Sequence, residues 1–80
     1  MTAIRHSILM EYIIVTYPQT RTVFIDGEEN GETGERLRVE EGKHTVNLGD
    51  PRDYKPKWRR PTVTGTTTVH PMIIEFERDE

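Results

Sequence analysis

Nine consecutive positions, Arg52 to Arg60, hold five of the chain's eleven Lys and Arg residues interleaved with Tyr54 and Trp58. Cations alternating with aromatics can attract phosphates while stacking on bases. Arginine beside tryptophan or tyrosine also makes the anchors of protein interfaces, and an exposed ring can stack on a sugar. Arg52, Tyr54, Lys55, Lys57, Trp58, Arg59 and Arg60 therefore form the candidate contact surface. A structural reading competes with this one. In an extended 53–60 segment Tyr54, Pro56 and Trp58 share one face and Lys55, Lys57 and Arg59 the other. That arrangement buries Trp58 in a small core and leaves the lysines to guard a sheet edge. Pro51, Pro56 and Pro61 confine the segment to an edge or a loop, because each lacks a ladder donor. Even so, Lys57, Arg59 and Arg60 remain a positive patch on an acidic chain. Such a patch could meet an acidic partner or the acidic Glu28 to Glu41 region of another copy.

Other chemistry has less to work with. Asp26, Glu28, Glu29, Asn30 and Glu32 gather oxygens in one turn, but not with the alternating ligand spacing of a calcium loop. A solvated turn is the expectation there. His6, His44 and His70 are too far apart for the close ligand spacing of a metal site. His44 is expected half-buried against the core, satisfying a backbone group. Ser7 is the only serine and cysteine is absent, so nucleophilic catalysis lacks its usual residues. Adjacent carboxylates such as Glu40 and Glu41, in an exposed turn, lack the burial that shifts a pKa. The expectation is no catalytic residue, no metal and no cofactor: a protein that is not an enzyme.

The elements that must position these residues read as strands. Tyr12 to Tyr17 is β-branched and aromatic, stopped by Pro18, and its nearly continuous apolar character predicts cover on both faces. Arg21 to Asp26 follows, with Val23 and Ile25 on one side, and Asp26-Gly27 provides a hairpin turn. Arg36 to Glu40 alternates cleanly, with Leu37 and Val39 inward. His44 to Leu48 repeats the pattern. Thr62 to Val69 predicts a hairpin of two short strands about Gly65, and Met72 to Glu77 a last strand with Met72, Ile74 and Phe76 on one face. No segment carries a 3.6-residue apolar stripe. The prediction is an all-β fold: a small antiparallel β-sandwich of about six to seven short strands with little or no helix, paired sequentially.

Eighty residues allow one domain, predicted over 10–80 behind a loose N-terminal arm at 1–9. Leu, Ile, Val and Phe make up only 18 of the 80 residues, so the core must be thin and stability modest. A net charge of −3 argues against a surface-wide nucleic-acid or anionic-membrane binder. No run approaches the length of a membrane-spanning helix. With no cleavable leader visible, a cytoplasmic location is expected if the chain is complete, and none can be assigned for a fragment of a larger envelope protein.

The order strand, Asp26-Gly27, glycine-bearing turn with Gly31, strand, then Gly42-Lys43-His44-Thr45-Val46 resembles the PEGA domain, which typically shows a Gly-x-His-x-Val run after its turn. Thr62 to Phe76 looks like that module's closing strands. Thr33-Gly34 and Asp53-Tyr54 stand where the family often has Thr-Pro and Gly-Tyr. The resemblance implies a transthyretin-like β-sandwich acting as a binding or spacer unit, with no family catalytic residues to carry over. A non-enzymatic module contacting an unknown protein or carbohydrate through 52–60 is the resulting expectation. The alternative is a nucleic-acid-binding barrel using the same segment. A third possibility is weak self-association through an unprotected strand edge near Tyr12 to Tyr17.

Overall fold

The computed structural model describes residues 10–79, and every regular element among them is a strand. In chain order these are β1 (Met10–Thr16), β2 (Thr22–Ile25), β3 (Glu28–Glu32), β4 (Arg36–Glu40), β5 (Gly42–Lys43), β6 (Val46–Asn47), β7 (Tyr54–Lys55), β8 (Thr62–Val63), β9 (Met72–Glu75) and β10 (Glu77–Arg78). The fold is all-β, as the alternation predicts. The expected N-terminal arm, residues 1–9, lies outside the described residues.

Two layers enclose one core. In the first, β1 lies between β4 and β9. Ile13 and Val15 of β1, Leu37 and Val39 of β4 and Ile74 of β9 turn inward. In the second, β2 lies between β3 and β6. The β5·β8 ladder is continued by a bond from the His44 N–H to the Pro61 carbonyl, 3.1 Å, and by the Val46–Arg59 exchange at 2.7 and 2.9 Å. Residues 42–47 and 59–63 thus run as neighbours, and the second layer reads β3, β2, 42–47, 59–63. Its inward residues are Val23, Ile25, Val46 and Val63. Full burial of an aliphatic side chain stabilises by roughly 1.5–3 kcal/mol before the entropic cost of ordering the chain. Leu48, Tyr54 and Phe76 extend the core to the end closed by the β7·β10 pair.

Three expectations are corrected. Pairing is not sequential throughout: β1 pairs antiparallel with β4 but parallel with β9, from Ile13 opposite Met72 to Thr16 opposite Glu75. The turn after Thr16 carries the chain into the other layer, so β1 and β2 face each other across the core instead of lying side by side. β1 therefore has no free edge, and the expected unprotected edge near Tyr12 to Tyr17 does not exist. Nor is β1 fully covered on both faces. Glu11, Ile13 and Val15 are buried, while Tyr12, Ile14 and Thr16 are half-buried.

Thr62 to Val69 is not a two-stranded hairpin. Only Thr62 and Val63 are strand, and a tight turn closes between Thr67 and His70. The reason is that Thr66 is committed to β1. Its N–H donates to the Glu11 carboxylate at 2.8 Å, its hydroxyl bonds the same oxygen, and that hydroxyl accepts from the Tyr12 N–H at 2.7 Å. These bonds hold the Glu11 carboxyl below the usual carboxylate range, the hydroxyl contributing most and the backbone N–H next.

Candidate interaction site

The sequence places seven residues of 52–60 on one surface, and the structure divides them. Tyr54 is 2% exposed and belongs to the core. Its hydroxyl accepts from the Leu48 N–H at 3.2 Å and donates to the Gly49 carbonyl at 2.9 Å. Its ring meets Phe76 and Tyr17 edge-on, with centroids 5.5 and 6.3 Å away. Trp58, which the extended-strand reading places in the core and the contact-surface reading outside it, is 51% exposed. The two aromatics part because the chain does not stay extended: it bends at Pro56 and Lys57, ending the alternation that would have put both on one face.

Arg52, Lys55, Lys57, Arg59 and Arg60 are all exposed. Arg52 lies 3.5 Å from Asp50, and Lys55 stands opposite Glu77 in the β7·β10 pair. Lys57, Arg59 and Arg60 form no ion pair among the described residues. Arg59 is fixed at both ends. Its backbone pairs with Val46, and its Nε donates to the Glu75 carbonyl at 3.0 Å. The exposed residues of the candidate surface without an ion or cross-strand partner among the described residues are thus Lys57, Trp58, Arg59 and Arg60, with Lys55 and Arg52 toward its periphery.

Arg21, which sequence reasoning left aside, fixes the loop leading into this segment. Its guanidinium bonds the Asp53 carboxylate at 2.8 Å, the Pro51 carbonyl at 2.8 Å and the Leu48 carbonyl at 3.3 Å. It also lies 5.4 Å from the Tyr54 ring centroid and 5.6 Å from that of Tyr17. The Arg21 bonds are the main reason that the Asp53 carboxyl sits below its usual range. No spacing in the sequence announces this role, because Arg21 and Asp53 are 32 positions apart.

The other candidates have structural employment. His44 is half-buried as expected, with Nδ1 2.7 Å from Asp26 Oδ2 and Nε2 2.6 Å from the Glu40 carbonyl. Asp26 Oδ1 accepts the Thr45 N–H at 2.9 Å, so both oxygens of this turn carboxylate are in use. His70 bonds back to Thr67 and does not join His44. His6 and Ser7 lie outside the described residues. No helix among the described residues is long and apolar enough to cross a membrane.

The family model for the PEGA domain matches residues 9–78 of this chain. No curated protein and no solved structure matches it.

Proposed function

The chain belongs to the PEGA domain family, and on that premise we propose that it is a non-enzymatic module that binds an acidic protein partner through Lys57, Trp58, Arg59 and Arg60. The observation that carries this reading is the exposure of Trp58 beside three solvent-facing cations on a chain of net charge −3. In so thin a core, burying the only tryptophan would have been the stabilising use of it. An exposed aromatic flanked by arginines has the composition of an interface anchor.

Capture of partners from source-cell lysate by the native domain and by a Lys57→Ala, Arg59→Ala, Arg60→Ala variant tests this. The variant is expected to lose partners that a Trp58→Ala variant also loses. Identical capture by all three proteins would refute the placement. The nucleic-acid reading uses the same side chains. It would be favoured instead by oligonucleotide binding that weakens steeply between low and physiological salt.

A further inference from the structure

The two flanks of the sandwich are protected unequally. On one, the free edges belong to β3 and β4, which present Glu28, Glu29, Glu32, Arg36, Arg38 and Glu40 to solvent, and the β2·β3 pairing carries a register shift. Charges and irregularities of this kind blunt an edge against further pairing. On the other flank the free edges belong to β9 and to 59–63. Between them runs a groove of about 630 Å³, with Arg59, Arg60 and Pro61 on one wall and Met72, Ile73 and Glu75 on the other.

The backbone of β9 offers this groove a ladder. The Phe76 N–H bonds the Thr16 carbonyl at 2.9 Å, and Arg59 reaches the Glu75 carbonyl from the opposite side. Backbone groups alternate in direction along a strand. Ile73 and Glu75 therefore direct theirs away from β1, into the groove. The Ile73 N–H and carbonyl and the Glu75 N–H pair with no strand among the described residues. Ile73 is also 54% exposed on the outer face.

We infer that this groove takes an acidic, extended segment of a partner protein, which adds to β9 as an extra strand. The proposal rests on the functional reading above and names how the partner is held. Charge complementarity selects the occupant, because Arg59 and Arg60 line the inner wall without an ion pair among the described residues. A strand added here turns alternate side chains inward toward those arginines and outward beside Ile73. The segment it fits best therefore alternates acidic with β-branched apolar residues.

The probe is a capped peptide of sequence Val-Glu-Val-Glu-Val-Glu, titrated into the isotopically labelled protein. The Ile73 and Glu75 amides are expected to shift and to exchange more slowly with solvent. N-methylation of the peptide at one parity of positions should abolish binding, and at the other parity should leave it intact. Arg60→Glu should weaken binding roughly tenfold or more with the melting temperature unchanged, and a Val-Lys peptide should then bind in its place. No binding up to about 1 mM peptide, protection that skips Ile73 and Glu75, or indifference to N-methylation would overturn the proposal. So would equal protection of these amides by an oligonucleotide or by self-association of the protein alone. Partners lost from the triple-alanine variant, together with Ile73 and Glu75 amides insensitive to the peptide, would remove strand docking while leaving the proposed function standing.

Discussion

Replacing Tyr54 by Phe separates the two readings of the 52–60 segment most sharply. The substitution keeps the ring and its edge contacts to Phe76 and Tyr17 and removes only the hydroxyl. That hydroxyl serves the Leu48 N–H and the Gly49 carbonyl. Leu48 is 1% exposed, so water cannot replace the lost acceptor. A buried donor left unpaired costs about 1–3 kcal/mol, against about 1 kcal/mol for an ordinary hydrogen bond exchanged with solvent. The Gly49 carbonyl is half-buried and recovers part of its loss through water. The expected destabilisation is therefore about 2 kcal/mol, which in a domain of this size lowers the melting temperature by roughly 10 °C. Trp58→Phe, at a half-exposed ring, should stay within about 0.5 kcal/mol. Urea and thermal unfolding followed by far-ultraviolet circular dichroism would measure both, and the native emission of Trp58 should lie near that of free tryptophan. An unchanged midpoint for Tyr54→Phe, or a Trp58→Phe loss above about 1 kcal/mol, would mean that the aromatics are assigned to the wrong sides.

Stability should pass through a plateau with pH. Asp26 is held low by the Thr45 N–H and then by His44, so its contribution is present above 3.8 and lost as pH falls through its lowered pKa. For His44, burial opposes the cation, but the Asp26 carboxylate and Glu40 carbonyl outweigh it and the pKa is raised. Its contribution is full below 6.5 and fades as pH rises through that raised value. Melting temperature against pH should accordingly lose its alkaline slope in His44→Gln, and a slope that persists would disconnect the histidine from stability. Glu11→Gln should shallow the acid slope, since the Glu11 contribution is present above 4.5 and lost as pH falls through its lowered pKa; an acid slope as steep as the native one would refute this. Gly49→Ala should destabilise more than Gly34→Ala. Both sit at left-handed φ, +70° and +87°, but only at Gly49 would a Cβ lie 2.5 Å from the Phe24 ring. The expected difference in unfolding free energy is about 1–3 kcal/mol, and equal losses would show that the ring yields.

Alternation made the layers legible in sequence. Val23 with Ile25, Leu37 with Val39 and Ile74 with Phe76 all turn inward as their period of two requires. Partnership was not legible, because a period of two says which face a residue takes and not which strand lies beside it. The parallel β1·β9 pairing joins residues almost 60 positions apart, and only the layer change after Thr16 makes it necessary. The candidate site was half legible for the same reason. Residue types singled out the segment as a candidate, but placing Tyr54 and Trp58 on one face assumed an unbroken strand. The bend at Pro56 and Lys57 and the contacts made by Arg21, a residue outside the segment, set the actual directions.

The Gly42-Lys43-His44-Thr45-Val46 run and the Asp26-Gly27 turn, through which the family resemblance enters, form a clasp. Asp26 bonds His44 and Thr45, His44 returns to the Glu40 carbonyl, and Val46 is fully buried. This clasp aligns 42–47 against β2, and the outer edge of 42–47 in turn carries 59–63. The arginine wall of the β9 groove therefore hangs on a ladder whose other side is pinned by Asp26 and His44. A family signature of this kind acts here as scaffold: it supports the Val46–Arg59 pairing and the bend at Pro56 and Lys57 before it without specifying the side chains of Lys57 to Arg60. Loosening the clasp should consequently disorder the groove without altering its charge, which distinguishes a scaffold residue from a contact residue acting on the same partner.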